Sequence, residues 1–430
     1  MKKAAIIGAG VSGLIVGARL AQAGFQVDVF ESSGKIGGRA IGQMRDGFSL
    51  DYGLHMVRNG VKGHLTEVME RLGVPIKLHI ADHPEFLYYR DGRLLPFPEG
   101  KEALMTSDII SMDEKMAVLM MLRDGLFDQY KGVPLSSWLE SVKGSAELAD
   151  FARITTSCIV CPFLDLASSG EVFDYIRRRI LIGSHPFALP EGGYYRVLDK
   201  LADYILAHGG AVHLDSPVRR IMLDAGRAAG VETDSGPHSA DIVVPAFPYK
   251  FLFEILDPDS VEPEKRERLT SLTPTAGVCI DFALDSPVTD SKNIIITYGD
   301  PFIYAMAVSN LDPTLAPAGK QLLAFAQIAR AEEMADPVRA EEIARNLERV
   351  ACEIFPEIPN KLLWKRELKL TMINSAQVNY TQHRDARPDS QYAGIPGLYL
   401  AGDALAMPGG GGDLSVASAN LCVDAILSDL

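Results

Sequence analysis

Cysteine is scarce in this chain: five are scattered over 430 residues. That is too few for a disulfide framework and points to a reducing compartment. One pair, Cys158 and Cys161, has CxxC spacing, but no second pair or nearby histidine completes a metal set, so no metal site is expected. Two buried thiols packed as small apolar groups are the plainer reading, beside that of a redox dithiol. Positive charge is in deficit, with a formal net charge of −14. This argues against nucleic acid, and against a generally anionic membrane surface, as the main partner. No apolar run reaches the roughly 18 residues that a membrane-spanning helix needs. No internal repeat is visible, and low complexity is confined to the glycines at 409–412. Met1-Lys2-Lys3 leads straight into the first expected strand, so a signal peptide is not expected and the cytoplasm is the expected location. A chain of this length exceeds one ordinary core, and two domains are the natural expectation.

Against these absences, the first 31 residues are dense with signal. Ala4–Ile7 reads as a buried strand running into Gly8-Ala9-Gly10-Val11-Ser12-Gly13. A helix follows with Leu14, Ala18 and Ala21 on one face, then a strand, Val27–Phe30, ending at Glu31. Strand, glycine turn, helix, strand and acid make the dinucleotide-binding fingerprint in its full context. Gly8 allows the tight turn, Gly10 lets a pyrophosphate approach the backbone, and Gly13 lets the helix pack on the strand. The helix N-terminus turns N–H groups and a positive dipole end toward phosphates. Glu31 can accept the ribose hydroxyls and would repel a 2′-phosphate, so NADP fits poorly. The alternative is a glycine turn in an α/β domain that binds nothing.

Farther along, Gly37-Gly38-Arg39 again combines close backbone approach with a guanidinium fork for phosphate oxygens. Phe48–His55 reads as a strand leading to a turn at Gly53, and 62–73 as a helix. Phe86–Arg90 and Arg93–Phe97 read as a hairpin about Asp91-Gly92. A helical, methionine-rich stretch follows, with Met105, Met112, Met116, Met120 and Met121. Pro190-Glu191-Gly192-Gly193-Tyr194 opens a helix to about 208, followed by short strands to Val244. Strands near 276–284, 302–308 and 321–328 and a helix over 337–354 form a second excursion. At the C-terminus, Gly397–Asp403 reads as a strand ending in Gly-Asp. It leads through Pro408-Gly409-Gly410-Gly411-Gly412-Asp413 into an apolar helix from about Ser415 to Leu427.

These residues together resemble the flavin-containing amine oxidase and phytoene desaturase superfamily. The similarity lies in Gly8–Leu14, Glu31, Gly37-Gly38-Arg39, Asp51-Tyr52-Gly53, Pro190–Gly193 and Leu400-Ala401-Gly402-Asp403 with the glycine run. Within it, the chain looks most like the phytoene desaturase and carotenoid isomerase branch, while Gly92–Pro98 is similar to protoporphyrinogen oxidases. The resemblance implies an α/β fold: a Rossmann-type FAD-binding domain of the two-dinucleotide-binding-domain flavoprotein type, with an interleaved α+β substrate domain. Residues 1–75, 189–250 and 386–430 would form the first and 76–188 with 251–385 the second. It also implies non-covalent FAD, since no cysteine lies within 402–414 to link a flavin. By the same analogy Gly8, Gly10, Ser12 and Gly13 cradle the pyrophosphate, Glu31 holds the adenosine ribose and Val218 meets the adenine through its backbone. Gly38 and Arg39 sit by the phosphates and ribityl chain, and Gly402 and Asp403 by the ribityl–phosphate region. Gly53 and His55 lie near the isoalloxazine, while Asp413 and Leu414 turn backbone N–H groups to its N1/O2 edge.

The activity so implied is an FAD-dependent oxidoreductase passing a hydride from a small apolar substrate, isoprenoid or polycyclic, to flavin N5. With one dinucleotide fingerprint in the chain, the partner for electrons is diffusible: oxygen, a quinone or a nicotinamide. The rivals are a flavin-dependent isomerase without net redox change, a protoporphyrinogen or amine oxidase, and a binding protein resembling GDP-dissociation inhibitors. No catalytic residue stands out. His55 is a flavin neighbour or a core histidine, and Tyr88, Tyr89, Tyr194, Tyr195 and Tyr304 are packing residues, one or two of them lining the substrate face. The methionine stretch is ordinary helix packing, a pliable wall for a long apolar substrate, or a peripheral membrane contact. Arg177-Arg178-Arg179 is a solvated helix face or a site for an anionic group.

Overall fold

The computed structural model describes every residue except 82–84, 124, 183–186 and 430, and the side chains of 157–158 and 179–182 also lie outside the described set. The N-terminal fingerprint forms as its residue pattern dictates. Strand Lys3–Ile7 pairs in parallel with Gln26–Phe30 on one side and Ile242–Pro245 on the other, and Gln26–Phe30 pairs with Ala211–His213. This gives a four-stranded parallel sheet. Helix Val11–Gln22 crosses between the first two strands. It stops at Gly24, whose φ of +88° lets Phe25 N–H return to the Leu20 carbonyl at 3.0 Å. Its apolar side shares a core with helix Tyr195–Ala207 and the C-terminal helix Gly412–Ser428: Val16 and Leu20 meet Val197, Leu201, Ile205, Val416 and Val423.

The other face of this sheet packs against a three-stranded antiparallel sheet, Val218–Asp224, Arg227–Thr233 and Gly236–Ser239. Leu252, Leu256, Val261 and Leu269 join that same core. The segment expected as a strand at 397–403 is not a regular strand. It runs extended beside Ile242–Pro245, with Val243 N–H donating to the Gly397 carbonyl at 2.8 Å and Ala401 N–H to that of Pro245 at 3.1 Å. Its Gly397 and Gly402, at φ +81° and +146°, take conformations that interrupt a ladder.

A seven-stranded mixed sheet makes the second body. Its order is Leu362–Asn374, Thr275–Leu284, Gln321–Ala329, Ile303–Met306, Ile294–Thr297, Phe86–Arg90, Arg93–Pro96. The hairpin expected at 86–97 forms, with Leu87 paired to Pro96 and Arg90 to Arg93. It completes this sheet through parallel pairing of Phe86 with Ile294 and Tyr88 with Ile296. Strand Thr275–Leu284, second in that order, is buried at all ten positions, Asp281 included. Strand Leu362–Asn374 has no counterpart among the sequence expectations. It is a sheet edge whose Lys365, Glu367 and Lys369 are exposed, so charge masks its alternation. Helix Pro337–Ile354, started by Asp336 accepting Val338 N–H at 2.8 Å with Pro at its first position, covers one face with Ile343, Leu347 and Val350. The helices between 100 and 182 cover the other. Among the described residues, no helix is long and apolar enough to cross a membrane.

Candidate active site

One continuous cavity of about 680 Å³ is lined by residues of both sheets. One end is built from backbone. Gly8, at φ +105°, donates its N–H to the Phe30 carbonyl at 2.8 Å. Gly10 faces open cavity: a Cβ there would have only the Gly37 carbonyl oxygen near it, at 3.9 Å. Gly37 N–H donates to the Ala9 carbonyl at 2.8 Å, which lays the 37–39 turn against the first glycine loop. Gly13 does not line the cavity. A Cβ on it would fall 1.9 Å from the Gly8 carbonyl oxygen, so this glycine seats the helix on the strand. Leu14 N–H makes the first bond of that helix, to the Gly10 carbonyl at 3.0 Å. The N–H groups of residues 11–13 come before it, at the positive end of the helix.

The two ends of the chain meet here. Ser12 lines the cavity, and its hydroxyl donates to the Ser415 carbonyl at 2.8 Å. Gly402, Asp403, Gly411 and Gly412 line the same space. The sequence puts Arg39 beside phosphates and Asp403 beside a ribityl chain; the structure joins the two side chains in a bidentate ion pair at 2.7 and 2.9 Å. Asp403 also accepts from Ser375 N–H at 2.9 Å and from its hydroxyl at 2.6 Å. Burial pushes this carboxyl up, but the Arg39 guanidinium and the Ser375 donors outweigh burial and hold it below the usual carboxylate range. Ser375 and Asn374, outside both motifs, carry no sequence signal for this part.

Glu31 faces the cavity at the end of its strand, fixed by Ala9 N–H on one oxygen and by Ser33 N–H and hydroxyl on the other, each at 2.9 Å. Val218 lines the cavity with Pro217, Phe247 and Phe251. Gly38, Gly53 and His55 also line it, with His55 Nδ1 3.3 Å from the Gly53 carbonyl oxygen. Asp413 and Leu414 do not. Leu414 is buried in the core beneath the helices, and its N–H, expected at the ligand, donates to the Gly411 carbonyl at 3.2 Å. Of the two N–H groups expected there, that of Asp413 precedes this first bond of the C-terminal helix.

The other end of the cavity is built from side chains: Phe86, Tyr175, Phe187, Ile294 and Tyr304, with Met372 and Leu370 from the unforeseen edge strand. Val160, also in this wall, holds φ at +56°, an outlier for a β-branched residue of the kind that concentrates at functional sites. Of the five tyrosines singled out in the sequence, Tyr194 and Tyr304 line the cavity, while Tyr88, Tyr89 and Tyr195 do not. Cys279 lines it; Cys161 does not and is fully buried, which pushes its thiol up to about 12. The side chains of Cys158 and Arg179 lie outside the described residues. Arg178 pairs with Asp174 at 2.9 Å on its own helix. Behind the wall, Asp51 accepts Tyr194 N–H at 2.9 Å, and Arg366 holds Asp281 at 2.6 Å. Burial pushes the Asp281 carboxyl up to about 6 although Arg366 pulls the other way.

Comparison with known proteins agrees with this geometry. The chain is similar to the zeta-carotene-forming phytoene desaturase of Myxococcus xanthus, 23% identical, with 99% of this chain and 94% of that protein covered. The mitochondrial protoporphyrinogen oxidase of Nicotiana tabacum is 29% identical over a shorter stretch, 40% of this chain and 33% of that one. Among solved structures, an oxidoreductase from Methanosarcina mazei superposes with a TM-score of 0.81 at 25% identity, covering 99% of this chain and all of that one. The model of the flavin containing amine oxidoreductases matches residues 11–427, from the glycine turn to the last helix. The chain therefore belongs to the flavin-containing amine oxidoreductase family and is an FAD-dependent oxidoreductase.

Proposed function

We propose that this oxidoreductase acts on an apolar substrate in the manner of the desaturases it resembles: a hydride leaves one carbon for the flavin, a proton leaves the neighbouring carbon for solvent, and the C–H bonding pair left behind forms the new double bond. The observation that carries this reading is the change in the cavity wall, from glycine backbone at one end to aliphatic and aromatic side chains at the other. Gly8, Gly10 and the N–H groups at Ser12 would hold the FAD pyrophosphate, with Gly13 seating the helix. Glu31 would hold the adenosine ribose and Val218 the adenine. Gly38 and Arg39, with Gly402 and Asp403, would lie along the phosphates and ribityl chain; Gly53, His55 and the Asp413 N–H would meet the isoalloxazine. Open space above Gly10 and the glycine-lined walls at 37–38 and 411–412 fit such a flat, phosphate-bearing group.

When bound, FAD accepts the hydride at N5. The chain's own part is to exclude water at the apolar end, hold the reacting carbon in line, and turn the start of helix Gly412–Ser428 toward developing negative charge. In this reading residues 1–75, 189–250 and 386–430 hold the cofactor and 76–188 with 251–385 choose the substrate, except that 252–269 share the core of the cofactor part. Electrons leave to oxygen, a quinone or a nicotinamide.

The test is to purify the protein, release its flavin with acid, and follow flavin absorbance without oxygen as carotenoid, porphyrinogen, amine and quinol substrates are added. FAD released intact and bleached by an apolar substrate is the expected result. Bleaching by amines alone would replace this reading with an amine oxidase.

A further inference from the structure

We propose that Arg387 is a positioning residue for the cofactor. From outside the cavity it holds the carbonyl of Met407, and through it the glycine run 409–412 and the start of the C-terminal helix, against the flavin. The inference rests on the cavity being the FAD site and adds the part that fixes its most pliant wall.

That wall has little hold of its own. Between Asp403 and the last helix the chain crosses Gly409-Gly410-Gly411-Gly412, and glycine has the most backbone freedom to lose. Gly411 and Gly412 line the cavity. A Cβ on Gly409 or on Gly412 would meet nothing within 4 Å, so packing does not fix those two positions. The run is held from its ends. After it, Leu414 is buried in the core. Before it, Ala406 N–H donates to the Pro388 carbonyl at 2.8 Å, and Arg387 Nη2 donates to the Met407 carbonyl at 2.6 Å. Both of these anchors come from the dipeptide Arg387-Pro388.

Arg387 is itself fixed. It is 4% exposed and follows the turn Arg384–Ala386. That turn is clamped on the first turn of helix Ser169–Ile182. Arg384 N–H donates to Glu171 Oε1 at 2.6 Å, its Nη2 lies 3.2 Å from Glu171 Oε2, and its guanidinium also pairs with Asp174. Asp385 binds Lys131 at 2.6 Å. The same helix supplies Tyr175 to the apolar part of the cavity wall. One strut thus runs from that wall, through Glu171 and the turn, to the glycine wall. Burial pulls the Arg387 guanidinium below its usual range, with Glu171 and Asp403 pulling it back. A buried ion replaced by an apolar side chain of like volume often costs no stability, so stability alone does not call for arginine here. What the guanidinium supplies is a rigid, charged donor at the end of a long stem, which reaches the Met407 carbonyl.

The test compares three FAD-loaded proteins: the wild type, Glu171→Gln, and Glu171→Gln combined with Arg387→Met. The double variant loses one charge of each sign, so no carboxylate is stranded by loss of the guanidinium. Far-ultraviolet circular dichroism reads the fold. The rate of FAD release on dilution, followed by flavin fluorescence, and the visible circular dichroism of bound flavin read the positioning. The double variant is expected to keep its fold, release FAD roughly tenfold faster and show an altered flavin band. Glu171→Gln alone should match the wild type in both flavin readouts. If the double variant does not fold, Arg387→Lys takes its place: it keeps the charge, loses the rigid fork, and should release FAD faster by a smaller factor. Unchanged release and an unchanged flavin band in the variant that folds overturn the inference, as does the full effect in Glu171→Gln alone. A wild-type protein purified without FAD would instead overturn the active-site reading beneath it.

Discussion

The two ends of the cavity are made of different material. At the fingerprint end the wall is main chain: Gly8, Gly10, Gly37, Gly38, Gly402, Gly411 and Gly412 leave room by having no side chains. At the far end it is Phe86, Ile294, Tyr304, Leu370 and Met372, brought in from strands spread over much of the chain. A backbone wall recognises what is common to all dinucleotides, phosphate and ribose, and it tolerates little change. A side-chain wall recognises shape and polarity and can be rebuilt without disturbing the fold. The carboxyls follow the same division. Asp403 is surrounded by donors and held low, while Asp281, on a strand of the substrate sheet, is desolvated and held high.

The largest effects are expected in the backbone wall. Gly13→Val drives a side chain into the Gly8 carbonyl and should destabilise the protein by about 3 kcal/mol or more, read by urea unfolding. Gly10→Val points into open cavity, so it should keep the fold and lose FAD; flavin content per folded protein separates the two glycines. Equal loss of stability in both variants would erase the distinction. Asp403→Ala strands Arg39 and two Ser375 donors. It should cost about 2 kcal/mol, with Arg39 partly solvated, and weaken FAD retention as measured by ultrafiltration.

A comparable effect, of opposite pH sense, is expected from Asp281. Its folded pKa near 6 lies above the unfolded value near 4, so the folded state binds the extra proton between them. That contribution is complete below about pH 4 and is lost as pH rises through 6, on the order of 3 kcal/mol. Asp281→Asn should remove this slope in unfolding measurements from pH 4 to 7. Asp403, held low, contributes the reverse: stability present above the ordinary carboxylate range and lost as pH falls through its lowered value. The smallest change in stability, within about 1 kcal/mol, is expected for half-buried Met372→Ala in the far wall. It should leave FAD content intact and shift the KM for an apolar substrate, and a loss of flavin would place Met372 in the cofactor wall instead.

Much of the near wall is legible in the sequence because its requirements are local. Gly8, Gly10 and Gly13 serve one turn, and Glu31 follows at the end of the next strand. The far wall is not legible. Phe86 meets Ile294 only because two strands far apart in the chain pair in parallel, and Leu370 and Met372 lie on an edge strand whose lysines and glutamate hide its alternation.

The sequence alone determined the parallel sheet, the glycine turn and the acid that ends the second strand, since backbone conformation and hydrogen bonding over a few residues decide them. Tertiary structure alone decided that Ser12 would meet Ser415 and that Arg39 would close on Asp403. Each of those contacts depends on how separate cores stack, and burial energy depends on total packing and not on order along the chain.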